Sequence, residues 1–165
     1  MVGKYTGLSD SYLSVIKALQ HACVNCERKL VLHWVAASDL EEETLAEAPL
    51  LHAAAWATLR AADGVVVPGG FGSRGVEGKI SAAGFARREG KPYLGLCLGM
   101  QVAVIEYARS VLKLKDANST EFDAATAHPA IVFMPEVSTT HMGGTMRLGA
   151  RKTLYTTPDC ISAKL

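Results

Sequence analysis

No stretch of this chain approaches the ~20 consecutive apolar residues that a membrane-spanning helix needs. An excess of charge of either sign is also lacking: the net charge is +1 at neutral pH, which argues against electrostatic binding to nucleic acid or to a membrane surface. Residues 1–10 have neither the apolar core nor the cleavage pattern of a secretory signal, so a cytoplasmic setting is expected, with Cys23, Cys26, Cys97 and Cys160 reduced. Metal ligands are short as well. Cys23 and Cys26 form a C-x-x-C, but no second Cys/His pair is spaced to complete a zinc site, and a redox C-x-x-C should open a helix where this one follows one. The expectation is therefore no metal and a structural role for that pair. With 49% hydrophobic and 20% charged residues over 165 positions, the chain has the make-up of one globular domain that needs no covalent staples.

Against this plain background stands Tyr93-Leu94-Gly95-Leu96-Cys97-Leu98-Gly99-Met100-Gln101. A short apolar run leads into a cysteine flanked by glycines two residues away on either side, and a helix-like run follows to Ser110. This is G-x-C-x-G, the thiol counterpart of the G-x-S-x-G elbow. A nucleophile at such a turn sits in strained backbone, and its neighbours must lack side chains for strand and helix to pass. The helix directs its free N–H groups and positive dipole end at the sulfur, favouring the reactive thiolate. The N–H of Leu98 is then placed to donate to an oxyanion. On these five residues alone, a buried cysteine in a glycine-rich turn is the competing reading.

The rest of the chain alternates short apolar runs with helical patterns, which points to an α/β fold: a three-layer arrangement, a mostly parallel central sheet with helices on both faces. Met1 to Tyr5 reads as the end of a strand whose start is not in the sequence. Ser9 or Asp10 caps a helix to about His21. Residues 29–35, apolar almost throughout, read as a strand buried on both faces, with His33 packed or at an edge. The acidic run from Asp39 to Glu47 reads as a solvated connection or helix start. Residues 50–62 form an alanine-rich helix after Pro49, and Asp63-Gly64 hands over to the strand Val65-Val66-Val67. Residues 76–90 form a helix with basic Arg87 and Arg88 at its end. Beyond residue 110, residues 113–116 and 118–122 read as a polar loop, residues 131–134 as a short strand, and Met146 and Leu148 as part of an edge strand. The chain stops at Leu165 without a clear terminal element.

Gly70, Gly72 and Gly75 also fit G-x-G-x-x-G. A dinucleotide site is disfavoured, because the next strand, residues 93–96, ends in Cys97 and carries no ribose-binding acid. Backbone donation suits the loop better: Gly69 and Gly70 let main-chain N–H groups approach a ligand closely. Two strand ends, one with bare glycines and one with a nucleophile, then face the same crevice.

Four blocks together, residues 69–79, 95–101, 118–122 and 143–149, resemble the glutaminase domain of the CTP synthases, within the class I glutamine amidotransferases. The resemblance spans essentially the whole chain, residues 3–165, read as one amidotransferase domain over residues 1–165 that is incomplete at its C-terminus and lacks the start of its first strand. It implies hydrolysis of L-glutamine through a Cys-His-Glu triad. Cys97 is the implied nucleophile, Gly70 and Leu98 supply oxyanion N–H groups, and Gln101 and Glu121 hold the amino-acid end of glutamine. Phe71, Gly99 and Met100 line the substrate, with Arg74 in the same loop. It also implies no cofactor in this domain; ATP with Mg, and allosteric GTP, act in the full-length homo-oligomeric enzyme, whose separate synthase domain uses the ammonia to convert UTP to CTP. The sequence departs from the pattern in two ways: no synthase domain is present, and the family's C-terminal histidine and glutamate are not reached. His128-Pro129 with Glu136 only superficially resembles that missing motif, because it follows directly on the block at 118–122 and its spacing is too wide. Two other classes stay open: a glutamine-binding regulatory fragment without turnover, and a stand-alone cysteine hydrolase of γ-glutamyl compounds.

Overall fold

The computed structural model describes residues 1–7, 10–133 and 154–164. Its β-strands are short and all pair in parallel. β1 (Val2–Gly3) pairs with β2 (Val35–Ala36), β3 (Val65–Val67) with β4 (Tyr93–Gly95), and β5 (Ala117–Ser119) with β6 (His128–Ile131). β1 also packs against β3. The ladder hydrogen bonds form three two-stranded pairs, where the sequence suggested one continuous sheet. Between the strands lie α1 (Leu13–Asn25), a 3-10 turn (Ala37–Leu40), α2 (Glu42–Glu47), α3 (Pro49–Ala61), α4 (Val76–Arg88) and α5 (Leu98–Ser110). Parallel neighbours need a crossover, and α4 supplies the one from β3 to β4.

The core lies where β-branched strand residues meet small helix residues. Val2, Val35, Val65 and Val67 are buried together with Leu59, Ile80, Phe85, Val102 and Ile105. α4 and α5 pack closely on each other. Gly84 permits this: a Cβ there would lie 2.9 Å from the Glu106 carboxylate. Glu106, itself buried, forms a two-pronged pair with Arg87 of α4, both contacts 2.8 Å. Gly78 is tighter still, since a Cβ would sit 1.8 Å from the Ala37 carbonyl oxygen. The 3-10 turn can press on α4 only because that side chain is missing.

Several expectations are corrected. Residues 29–34 form no strand, and Val31 is 65% exposed. The β1–β2 ladder opens where the Val35 N–H donates to the Met1 carbonyl at 3.0 Å, and of residues 29–34 only His33 has a backbone partner along it among the described residues. His33 is exposed, and its carbonyl accepts from the terminal ammonium at 2.6 Å. The first helix begins at Leu13 and takes in Cys23, with Cys26 just beyond its end. The acidic run divides between the 3-10 turn and α2. Part of the loop expected at 118–122 is β5, and the strand expected at 131–134 is β6, ending at Ile131. The edge strand at Met146 and Leu148 lies outside the described residues. The chain divides into two units, Met1–Val132 and Phe133–Leu165. The second ends in α6 (Ile161–Lys164), a short helix where no terminal element was expected.

Candidate active site

The elbow is built by local backbone demands. β4 runs alongside β3, with Val67 opposite Gly95, and the Leu96 N–H extends the ladder to the Val67 carbonyl at 2.9 Å. The chain then reverses. The Gly99 N–H donates to the Leu96 carbonyl at 2.9 Å, and the Met100 and Gln101 N–H groups reach the Cys97 carbonyl at 3.1 and 3.2 Å. Cys97 precedes the first residue of α5 and has φ 53° and ψ −110°, a conformation that costs about 1–3 kcal/mol for a residue with a Cβ. The flanking glycines are steric requirements. A Cβ on Gly99 would lie 1.8 Å from the Val67 oxygen, and one on Gly95 would lie 2.5 Å from the Gly99 carbonyl.

Cys97 is exposed, and the loop after β3 lies beside it. A Cβ on Gly69 would meet the Cys97 Cβ at 3.3 Å and its Sγ at 3.7 Å, so the bare backbone of that loop lies against the nucleophile. Neither the Gly70 nor the Leu98 N–H has an acceptor among the described residues. Of the other expected site residues, Gly99 is buried at the base of the helix and Gln101 is half-buried, while Met100 and Phe71 are 53% and 78% exposed.

Two lysines hold the loop from behind. Lys79, fully buried on α4, donates to the Pro68 carbonyl at 2.7 Å and lies 3.5 Å from that of Gly69. Burial pushes its ammonium down to about 8; repulsion by Lys4 adds to the effect and attraction to Cys97 opposes it. Lys4, just after β1, is 5% exposed and donates to the carbonyls of Phe71, at 3.0 Å, and Gly72. Burial and then Arg74 lower its ammonium, while Glu121 and Glu41 pull the other way. Glu121 follows β5, exposed, with its N–H on Ser119 Oγ at 3.2 Å. β5 is tied to α5 by the Arg109 guanidinium, which donates to the Ala117 carbonyl at 2.7 Å.

None of the described histidines hydrogen-bonds Cys97. His52 instead accepts from the Trp56 indole at 3.0 Å on α3, and His128 is exposed on β6. His141 and Glu136 lie outside the described residues. Among the described residues no three His, Cys, Asp or Glu side chains gather as metal ligands, and no helix is long and apolar enough to cross a membrane. Sequence reasoning passed over Lys4 and Lys79 as individual residues. For Lys79 a signal exists: it sits among Val76, Ile80 and Ala83 on the buried side of α4, where a lysine needs partners.

Comparison with known proteins adds the lineage. The description "Glutamine amidotransferase class-I" matches residues 7–164. Along its whole length the chain is 57% identical to a CTP synthase of Dictyostelium discoideum and 54% identical to CTP synthase 1 of Homo sapiens, and it spans 29% and 28% of their lengths. A solved structure described as the Trypanosoma brucei CTPS glutaminase domain with bound acivicin aligns with a TM-score of 0.73 at 40% identity, over 84% of this chain and 51% of that one. With that match over residues 7–164, beside the parallel strand pairs and the strained cysteine at a strand-to-helix turn, the chain belongs to the class-I glutamine amidotransferase family.

Proposed function

We propose that this chain is the glutamine-hydrolysing part of a CTP synthase. The observation that carries the reading is Cys97 in strained backbone at the head of α5, with the bare Gly69 backbone against its sulfur. Similarity to CTP synthases along the whole chain supports the choice within the family.

In this reading the Cys97 thiolate attacks the γ-amide carbon of L-glutamine. The carbonyl oxygen becomes an oxyanion that accepts from the Gly70 and Leu98 N–H groups, both free of other acceptors among the described residues. Collapse expels ammonia, protonated as it leaves, and gives a thioester at Cys97; water then cleaves this to glutamate and the free thiol. Glu121 pairs with the substrate ammonium and Gln101 with its carboxylate, while Phe71, Gly99 and Met100 border the side chain. A histidine is the general base in this reading, and none of the described histidines hydrogen-bonds Cys97. The ammonia passes to a synthase domain that uses ATP with Mg to aminate UTP, with GTP as activator, in a cytoplasmic homo-oligomer.

The test uses the full-length protein. An electrophilic glutamine analogue is expected to alkylate Cys97 ahead of Cys23, Cys26 and Cys160. Cys97→Ala is expected to abolish glutamine hydrolysis while leaving CTP formation from added ammonia largely intact. Equal labelling of the four cysteines, or loss of both activities together, would overturn the assignment. Selective alkylation without any turnover would instead make this a glutamine-binding element.

A further inference from the structure

The loop that faces Cys97 contains little to hold it in place. Gly69 and Gly70 have no side chains, Gly72 has φ 76°, and Phe71 is 78% exposed. A segment of this kind would sample many conformations, yet an oxyanion donor must be fixed before the charge forms. Something outside the loop must therefore fix it.

Lys4 meets that need from three directions. Its ammonium donates to two successive carbonyls, Phe71 and Gly72, on the side of the loop away from solvent. Its aliphatic stem lies directly under Gly70, where a Cβ would come within 3.1 Å of Lys4 Cδ. Its own carbonyl accepts from Arg74 Nη2 at 2.7 Å, which closes a ring from strand to loop and back. Lys4 is itself fixed, because its backbone N–H donates to the Tyr12 hydroxyl at 3.0 Å. In a trans peptide the C=O and N–H point to opposite sides. The N–H groups that share peptides with the Phe71 and Gly72 carbonyls are those of Gly72 and Ser73, so the ammonium fixes the loop just after Gly70, while the Lys4 stem packed under Gly70 fixes Gly70 itself.

We propose that Lys4 is a positioning residue for catalysis: it locks the residue 69–72 loop so that the Gly70 N–H faces the oxyanion formed at Cys97. The proposal rests on the acyl-transfer chemistry assigned above. Lys4 touches neither substrate nor sulfur; it acts through the loop. Its loss therefore reaches only reactions that generate an oxyanion.

The experiment compares three reactions of the full-length protein and its Lys4→Met and Lys4→Arg variants. Glutamine hydrolysis and acylation of Cys97 by p-nitrophenyl acetate both form an oxyanion, whereas alkylation of Cys97 by iodoacetamide forms none. For Lys4→Met, kcat for glutamine is expected to fall roughly 10- to 100-fold with KM within about threefold. Ester acylation should fall by a similar factor and alkylation by no more than about threefold. Lys4→Arg, which keeps the cationic donor, should recover part of the loss. A folded Lys4→Met variant with kcat within twofold of wild type overturns the proposal, as does an equal fall in alkylation and acylation. If the wild type hydrolyses no glutamine, the functional reading fails, and the ester reaction still decides the role of Lys4. If Lys4→Met does not fold, acetylation of native wild-type protein decides: Lys4 should resist labelling under conditions that modify Lys17 and Lys29, and labelling at their rate overturns the clamp.

Discussion

A lysine side chain buried without a carboxylate partner is costly, and Lys79 is such a residue: fully buried, with only backbone carbonyls as acceptors. Its ammonium is lowered from 10.5 to about 8. Between those values the unfolded chain holds a proton that the folded chain has released, so stability rises with pH across that window and is flat on either side of it. In urea unfolding, wild type is expected to gain about 2 kcal/mol over Lys79→Met between pH 7.5 and pH 10, less than the full shift because that range stops short of the unfolded value. A difference between the two proteins that is constant with pH would remove the assignment. At this scale the sequence is legible where chemistry is local. The glycine spacing around Cys97 announces an elbow because each glycine answers a clash within a few residues. Lys4 and Lys79 are not legible in the same way, because their acceptors are main-chain oxygens at Pro68, Phe71 and Gly72, brought to them only by the fold.

Among the elements, close approach depends on single missing side chains, and these differ in weight. Gly99→Ala would put a Cβ 1.8 Å from the Val67 carbonyl and lever α5 away from β3. Gly72→Ala meets nothing within 4 Å and bears only the strain of its positive φ. Denaturant midpoints should therefore separate the two, with a loss of about 3 kcal/mol or more for Gly99→Ala and about 1 kcal/mol for Gly72→Ala; similar losses would refute the contact. The helices α3, α4 and α5 and the strands β3 and β4 could be read from periodicity and from their turn signals. The failure at residues 29–34 is instructive. Leu30, Val31 and Leu32 have strand-like composition, but a strand is defined by its ladder, and the partner backbone meets this segment only at the His33 carbonyl and from Val35 onward.

For the molecule as a whole, the buried ion pair between α4 and α5 contributes a pH-dependent part of the stability. The Arg87 guanidinium, hydrogen-bonded to Glu106, holds that carboxyl below its usual range despite burial, which pushes it up. Its contribution is thus present above the unfolded value near 4.5 and is lost as pH falls through the lower folded value. Glu106→Gln should lower Tm at pH 7, and the gap to wild type should close in scans below pH 4; a gap that persists there would show that the loss is one of packing alone. The α/β class with parallel strands was legible in the alternation of short apolar runs and helices. The family was legible because four blocks far apart in the chain agreed.

The proximity of Gly69 to the Cys97 sulfur has a consequence for inhibitor resistance. One side of the site is main chain, and its composition is dictated by space: a methyl at Gly69 would touch the Cys97 Cβ at 3.3 Å, and one at Gly70 would strike Lys4. A covalent inhibitor anchored on the sulfur and on these amides takes little of its affinity from replaceable side chains. Mutational escape is then left to the side chains around those amides, the exposed Phe71 and Met100 among them.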